Sequence, residues 1–265
     1  MIKFCPIASG SSGNCVYLSA DGTNILIDAG LSGRGIEAGL KTLDMSGRQL
    51  SAILVTHEHS DHIMGVGVMS RKYGLPVYAT PKTWRYFERH GVLGAISPAL
   101  IRRVEPDQPF LIGDLQITAF DIPHDASQPV GYSIFAENRK ITVATDIGEP
   151  TDVLRRHITD SSIVLLESNH DSEMLMNGRY PIILKKRISG PYGHLSNEAA
   201  GRLLTETATE SLRYVFLGHL SEENNRPLIA FNTVEGILYK NGVLPRIGFK
   251  LYVAERADVS AAVEL

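Results

Sequence analysis

Between Thr56 and Ile63 the chain places His57, Glu58, His59, Asp61 and His62 within six consecutive positions, directly after the apolar run Ala52-Ile53-Leu54-Val55. That run is short, continuous and rich in branched side chains, as a strand buried on both faces requires. The polar cluster therefore belongs in the loop at the strand's carboxyl end. Loops held by a rigid scaffold are where binding chemistry collects. Imidazole and carboxylate donors at H-x-H-x-D-H spacing suit zinc, manganese or iron. Without cations, so many donors in so short a segment would repel one another. A solvated turn with chance histidines is the competing reading, and the length and chemical coherence of the pattern count against it.

Three more candidate ligands occupy the same kind of position, each closing an apolar run. They are His124 after Pro123, Asp146 after Val143-Ala144-Thr145, and His219 after Val215-Phe216-Leu217-Gly218. Each has an ordinary alternative. His124 fits a plain turn, Asp146 fits a cap lying slightly early for the helix expected from Pro150, and His219 fits a hydrogen-bonded core histidine. His90 and His157 lack such settings and read as surface residues.

Taken in order, Ile27-Asp28-Ala29-Gly30, the His57 cluster, His124, Thr145-Asp146 and Leu217-Gly218-His219 resemble the signature of the metallo-β-lactamase superfamily. The opening Ala8-Ser9-Gly10-Ser11-Ser12-Gly13-Asn14-Cys15, with Glu167-Ser168-Asn169-His170-Asp171 and Gly193-His194-Leu195-Ser196-Asn197, is similar to the YycJ-like (WalJ) subgroup of bacterial nucleases. The resemblance implies an α/β fold, an αββα sandwich of two mixed sheets flanked by helices. It also implies two divalent metal ions, zinc or manganese. One would be held by His57, His59 and His124, the other by Asp61, His62 and His219, with Asp146 bridging them. Asp61 and His194 are the expected catalytic groups, His194 by contacting the scissile phosphate.

Substrate contacts are expected from Ser11 and Asn14, whose Gly/Ser loop could cradle a phosphate, and from Asn169, His170 and Ser196. Ser196 or Asn197 could instead cap the following helix. The implied function is a dinuclear metal-dependent phosphodiester hydrolase, a DNA nuclease of 5′-to-3′ exonuclease type that uses a water activated between the metals. RNA or a small phosphodiester remains an alternative substrate. A non-hydrolytic di-iron redox or sensor protein is a further alternative, disfavoured because His59 stands where such proteins carry glutamate.

At 265 residues and 43% hydrophobic content the chain can bury one sizeable core, and one domain over residues 1–265 is expected. The stretch from Asp146 to His219 is too short for the β-CASP insertion of RNA-processing relatives. A formal charge of −3 excludes a protein that coats nucleic acid indiscriminately. Any such contact must be local, with Lys186 in the run Lys185-Lys186-Arg187 the leading candidate and Arg102-Arg103 and Arg155-Arg156 weaker ones. Cys5 and Cys15 are too few for a disulfide framework. No stretch approaches a membrane span, and Met1 to Pro6 lack a secretion-signal pattern, so a cytoplasmic location is expected. No protein partner is readable.

Periodicity predicts an antiparallel start, with a turn at Asp21-Gly22, and a hairpin of Val130–Ala136 and Lys140–Ala144 around Glu137-Asn138. Helices are expected over Ser32–Leu43, Met64–Tyr73, from Pro81, and over Pro150–His157, Asn197–Thr207 and Pro227–Lys240. Strands are expected at Ile163–Glu167, Tyr214–Leu217 and Arg246–Val253. Residues 91 to 100 and 171 to 192 are the least periodic, suggesting a flap or substrate lip.

Overall fold

The computed structural model describes residues 1–265. Two seven-stranded sheets divide the chain between them. The first contains β1 (Ile2–Gly10), β2 (Gly13–Ala20), β3 (Thr23–Ile27), β4 (Ala52–Leu54), β5 (Val77–Ala79) and β6 (Ile101–Arg103). The second contains β7 (Pro109–Ile112), β8 (Leu115–Asp121), β9 (Val130–Ala136), β10 (Arg139–Ala144), β11 (Ile163–Glu167), β12 (Tyr214–Gly218) and β13 (Lys250–Val253). A last strand, β14 (Val263–Glu264), returns to the first sheet beside β1.

Helices α1 (Gly33–Thr42), α2 (Ser60–Ile63), α3 (Val66–Tyr73) and α4 (Pro81–His90) belong to the first half. The second half carries α5 (Asp152–Ile158), α6 (Ser172–Asn177), α7 (Ile182–Ile188), α8 (Asn197–Thr207), α9 (Pro227–Lys240) and α10 (Val243–Ile247).

Side-chain alternation along the strands explains the layering. Ile2, Phe4, Val16, Leu18, Ile25 and Ile27 point inward and meet Ile117, Tyr132, Ile141, Ile163 and Phe216 of the second sheet in one core. Their neighbours Cys5, Cys15, Tyr17 and Leu26 point the other way, under Ile36 and Leu40 of α1 and Trp84 and Phe87 of α4. Val164, Leu166, Val215 and Leu217 likewise pack beneath Leu154, Leu203, Leu204 and Val234. The result is the expected αββα sandwich. Strands that carry apolar residues on both faces read as continuous apolar runs because each sheet is covered twice.

Both sheets begin with antiparallel hairpins and finish with parallel strands. The carboxyl ends of β3, β4, β8, β10, β11 and β12 therefore reach one rim, and the loops that follow them carry Asp28, His57 to His62, His124, Asp146, Asn169 and His219. Bonds between the halves tie this rim together. Gly10 bridges to Leu220, and Val130 N donates to Thr56 O at 3.0 Å.

Most elements lie where periodicity places them. The β9–β10 turn has Glu137 and Asn138 at φ +47° and +60°, as a two-residue hairpin requires. Residues 171 to 192, expected to be irregular, form α6 and α7, which at six and seven residues are too short to display a helical period. Arg246 to Val253 is not one strand, because Gly248 at φ +72° ends α10 before β13 begins. His157 is half-buried, not a free surface residue; it stacks on Phe120 at 4.1 Å and meets Ser133 Oγ at 2.9 Å. No helix is long and apolar enough to cross a membrane.

Candidate metal centre

Asp28, Asp146 and His219 each follow a strand end in the left-handed region, at φ +58°, +59° and +55°. For residues with a Cβ that conformation costs roughly 1–2 kcal/mol, less for aspartate. The sharp turn swings each side chain back over the rim. Close packing secures it. A Cβ on Gly30 would sit 1.7 Å from Asp61 O, and one on Gly218 would sit 2.6 Å from Ser9 Oγ, whose hydroxyl accepts from His219 N at 2.9 Å.

The seven expected ligands converge. His57, His59 and His124 form one group of donor atoms lying within 4.8 Å of one another, and Asp61, His62 and His219 form another. Asp146 stands between, with Oδ1 3.3 Å from His219 Nε2 and 3.6 Å from His124 Nε2, and Oδ2 3.2 Å from His62 Nε2. His59 Nδ1 lies 3.0 Å from His57 Nε2 and 3.3 Å from His124 Nε2. Two nitrogens sharing a tetrahedral zinc at about 2.05 Å would be about 3.3 Å apart, so the spacing is that of a coordination edge.

Outer partners fix which nitrogen each ring presents. Thr56 Oγ1 donates to Asp28 Oδ2 at 2.8 Å and so can accept from His57 Nδ1 at 3.0 Å. His62 Nδ1 lies 2.7 Å from Asp28 Oδ2, His124 Nδ1 lies 3.1 Å from Gly193 O, and His219 Nδ1 lies 3.1 Å from Asn14 Oδ1. In all four rings Nδ1 has a protein acceptor and Nε2 faces the cluster, the arrangement by which proteins orient metal-binding histidines.

Charge favours the ligand form at three of the rings and at Asp146. Burial pushes the pKa of His57, His59 and His219 down, favouring the neutral ring that a cation requires. Burial also opposes charge on His62, but Asp146 and Asp28 override it and hold that ring well above the usual histidine range. Asp146 resists burial through His219, His62 and His57, which keep its carboxyl well below the usual carboxylate range. Its Oδ2 is nevertheless buried without a hydrogen-bond partner. An unsatisfied buried group costs about 1–3 kcal/mol or more, and a bound cation removes that cost. The donor set fits a divalent metal.

His194 adjoins the cluster, its ring stacked on His219 with centroids 5.3 Å apart. Glu167, fully buried at the end of β11, accepts from His194 Nδ1 at 2.8 Å through Oε1. Its Oε2 accepts from Ile147 N at 2.7 Å and Leu195 N at 3.0 Å. Burial works against charging His194, yet Glu167 raises its pKa to about 9. Glu167 and His194 also approach Asp146 and His219 closely enough to suggest a further cation group. Both Glu167 oxygens are already engaged, so the pair reads as a held donor next to the cluster.

The family model for the beta-lactamase superfamily domain matches residues 23–219, a span that reaches from the strand before Asp28 to His219. The chain belongs to the metallo-β-lactamase superfamily. It is 39% identical over 249 residues to exodeoxyribonuclease YycJ of Bacillus anthracis, covering 91% of this chain and 90% of that one. With exodeoxyribonuclease WalJ of Streptococcus pneumoniae it shares 38% over 250 residues, covering 94% and 93%. Among solved structures, zinc-bound PqqB from Methylobacterium extorquens superposes over 100% of both chains at a TM-score of 0.70 and 16% identity, a likeness of fold.

Within this metallo-β-lactamase frame, several residues expected at the substrate have partners inside the protein. Asn14 is buried, and its amide lies 3.0 Å from His62 Nε2 and 3.3 Å from Asp61 Oδ2. It is bonded to candidate ligands. Ser11 stays exposed on the β1–β2 turn. Asn169 is buried and donates to His219 O at 2.8 Å, holding that ligand's backbone. His170 is buried too, with Nδ1 unpartnered. The Ser196 hydroxyl accepts from Ala199 N at 3.2 Å, so it caps α8. Lys186 is exposed on α7, whereas Lys185 donates to Met176 O and Arg187 pairs with Asp125 at 2.6 Å.

Asp28 and Glu167 lie within the sequence motifs, yet their roles emerge only from these contacts, and Glu58 is a third such residue. It turns away from the cluster and accepts from Ser127 N and Oγ at 2.7 and 2.6 Å, bracing the loop after His124. An acid closing a buried strand was the available signal for Asp28 and Glu167.

Proposed function

We propose that the chain is a divalent-metal-dependent exonuclease that hydrolyses DNA phosphodiester bonds from a 5′ end, with residues 1–265 acting as one unit lacking a β-CASP insertion. The observation that carries this reading is the convergence of seven donors at one rim with His194 held beside them. His57, His59 and His124 hold one cation, zinc or manganese. Asp61, His62 and His219 hold the second. Asp146, whose oxygens lie near His62, His124 and His219, would serve both. When bound, such a pair supplies the Lewis acidity and activated water that phosphodiester hydrolysis needs.

The protein supplies orientation and a donor. Asp28, Thr56, Asn14 and the Gly193 carbonyl fix the ligand rings, so little reorganisation accompanies binding. With Nδ1 held by Glu167, His194 presents Nε2 to a phosphate oxygen and steadies it as negative charge grows. Lys186 contacts the polynucleotide backbone. Similarity to two exodeoxyribonucleases over nearly their whole lengths supports DNA as the substrate. Free, buried Cys5 and Cys15 suit a reducing cytoplasm.

The test is a panel of end-labelled DNA and RNA run beside bis-p-nitrophenyl phosphate, with zinc and with manganese. The expected result is stepwise shortening of DNA from its 5′ end. Turnover of the small ester with DNA and RNA left intact would make the chain a small-molecule phosphodiesterase.

A further inference from the structure

We propose that the exposed face of α4 is a track for the phosphate backbone of DNA, reached from the metal centre across Ser127. This rests on the nuclease reading above. Lys82, Arg85 and Arg89 stand at i, i+3 and i+7, which places all three on one face of the ten-residue helix. Trp84 and Phe87 anchor the opposite face in the core. Lys82 to Arg89 spans about 10 Å of helix axis, the length over which one DNA strand presents about three phosphates.

Several other basic groups of the chain are engaged within the protein, whereas these three share one helix face and are unpaired. Arg102 donates to the carbonyls of Ala99 and Ile101. Arg103 pairs with Glu88 at 2.9 Å, Arg155 with Glu206 at 2.7 Å and Arg187 with Asp125 at 2.6 Å. The side chains of Lys82, Arg85 and Arg89 are exposed and make neither an ion pair nor a hydrogen bond within the protein. In a chain of net charge −3, three adjacent unpaired cations concentrate positive potential on this face. Tyr86 packs against His90 beside them, ring centroids 4.1 Å apart, and these five residues with Ser127 border a shallow groove of about 300 Å³.

The groove is coupled to the metal centre. Ser127 is held by Glu58, which sits between His57 and His59. Thr80 Oγ1, at the amino end of α4, donates to Gln128 O at 3.0 Å. The helix and the ligand loop thus grip the same short segment after His124, and Ser127 lines the groove together with Lys82, Arg85 and Arg89.

The test compares two triple variants of equal charge loss. Lys82→Gln/Arg85→Gln/Arg89→Gln removes the track, and Lys41→Gln/Lys240→Gln/Lys250→Gln removes three exposed lysines elsewhere. Affinity for labelled duplex DNA is measured across a salt series in a His194→Ala background shared by all variants, in which hydrolysis is slowed about 100- to 1,000-fold. Bis-p-nitrophenyl phosphate turnover is measured with His194 intact. The track variant should lower the slope of log affinity against log salt by about 2–3 and slow DNA hydrolysis, with small-ester turnover and thermal stability unchanged. The control variant should change the slope by less than about one. An unchanged slope in the track variant, or an equal loss in the control, overturns the proposal. A parent protein that neither binds nor cuts DNA rejects the nuclease reading, and the track with it.

Discussion

Replacing Glu167 with glutamine isolates what the buried carboxylate does for His194. The amide nitrogen must face His194 Nδ1, because the other end has to accept from Ile147 N and Leu195 N. The ring then stays in place with its proton on Nε2, so a donor survives but its charge is lost. A hydrogen bond from a charged donor exceeds a neutral one by about 1–1.5 kcal/mol, which converts to roughly tenfold in turnover. His194→Ala removes the donor altogether and should cost about 100- to 1,000-fold.

Because Glu167 acts through His194, the double variant should be no slower than His194→Ala alone. Glu167→Gln should also move the alkaline limb of the rate profile to lower pH. Against burial, Glu167 does most to raise the pKa of the wild-type ring to about 9, with Asp146 and Asp125 contributing less, and in the variant that carboxylate is gone. Steady-state DNA hydrolysis across pH, with metal content on the same preparations, is the assay. Multiplicative losses in the double variant would refute action through His194, and metal loss in either single variant would make that residue a ligand.

Asp146→Ala should lower metal occupancy and hydrolysis together, read by inductively coupled plasma analysis, since the two cation groups lose the carboxylate between them. Asp28→Asn keeps a side chain that tolerates φ +58° but weakens its hold on His62 and Thr56. Metal affinity in chelator competition should fall about 10- to 100-fold. In Gly218→Ala the new Cβ meets Ser9 Oγ at 2.6 Å and Leu165 Cδ1 at 2.8 Å, so chemical denaturation should show a loss of about 1–3 kcal/mol.

What could be read before the structure divides along physical lines. Ligands at strand ends were legible because an apolar run broken by His or Asp marks both a buried strand and the loop where it surfaces. Hairpin turns are legible because Asp21, Gly22 and Asn138 tolerate the left-handed backbone they adopt. For Asn14 and Asn169 a sequence shows a polar residue near a motif but not the direction of its amide. Each is turned inward by a bond made across more than forty residues, to Asp61 and His219 respectively. The basic face of α4 went unread for a similar reason. Lys82, Arg85 and Arg89 are not adjacent in sequence, whereas Arg102-Arg103 and Arg155-Arg156 are adjacent, yet one arginine of each pair is tied to an acid, Arg103 to Glu88 and Arg155 to Glu206.

The central claim is that the seven donors hold two divalent cations on which DNA hydrolysis depends. Stripped protein titrated with manganese or zinc, with bound metal and DNA turnover followed together, tests it most directly. The account predicts two equivalents per chain, with turnover appearing as the second binds and disappearing on chelation. One equivalent at full activity, or DNA hydrolysis by the stripped protein, would contradict it.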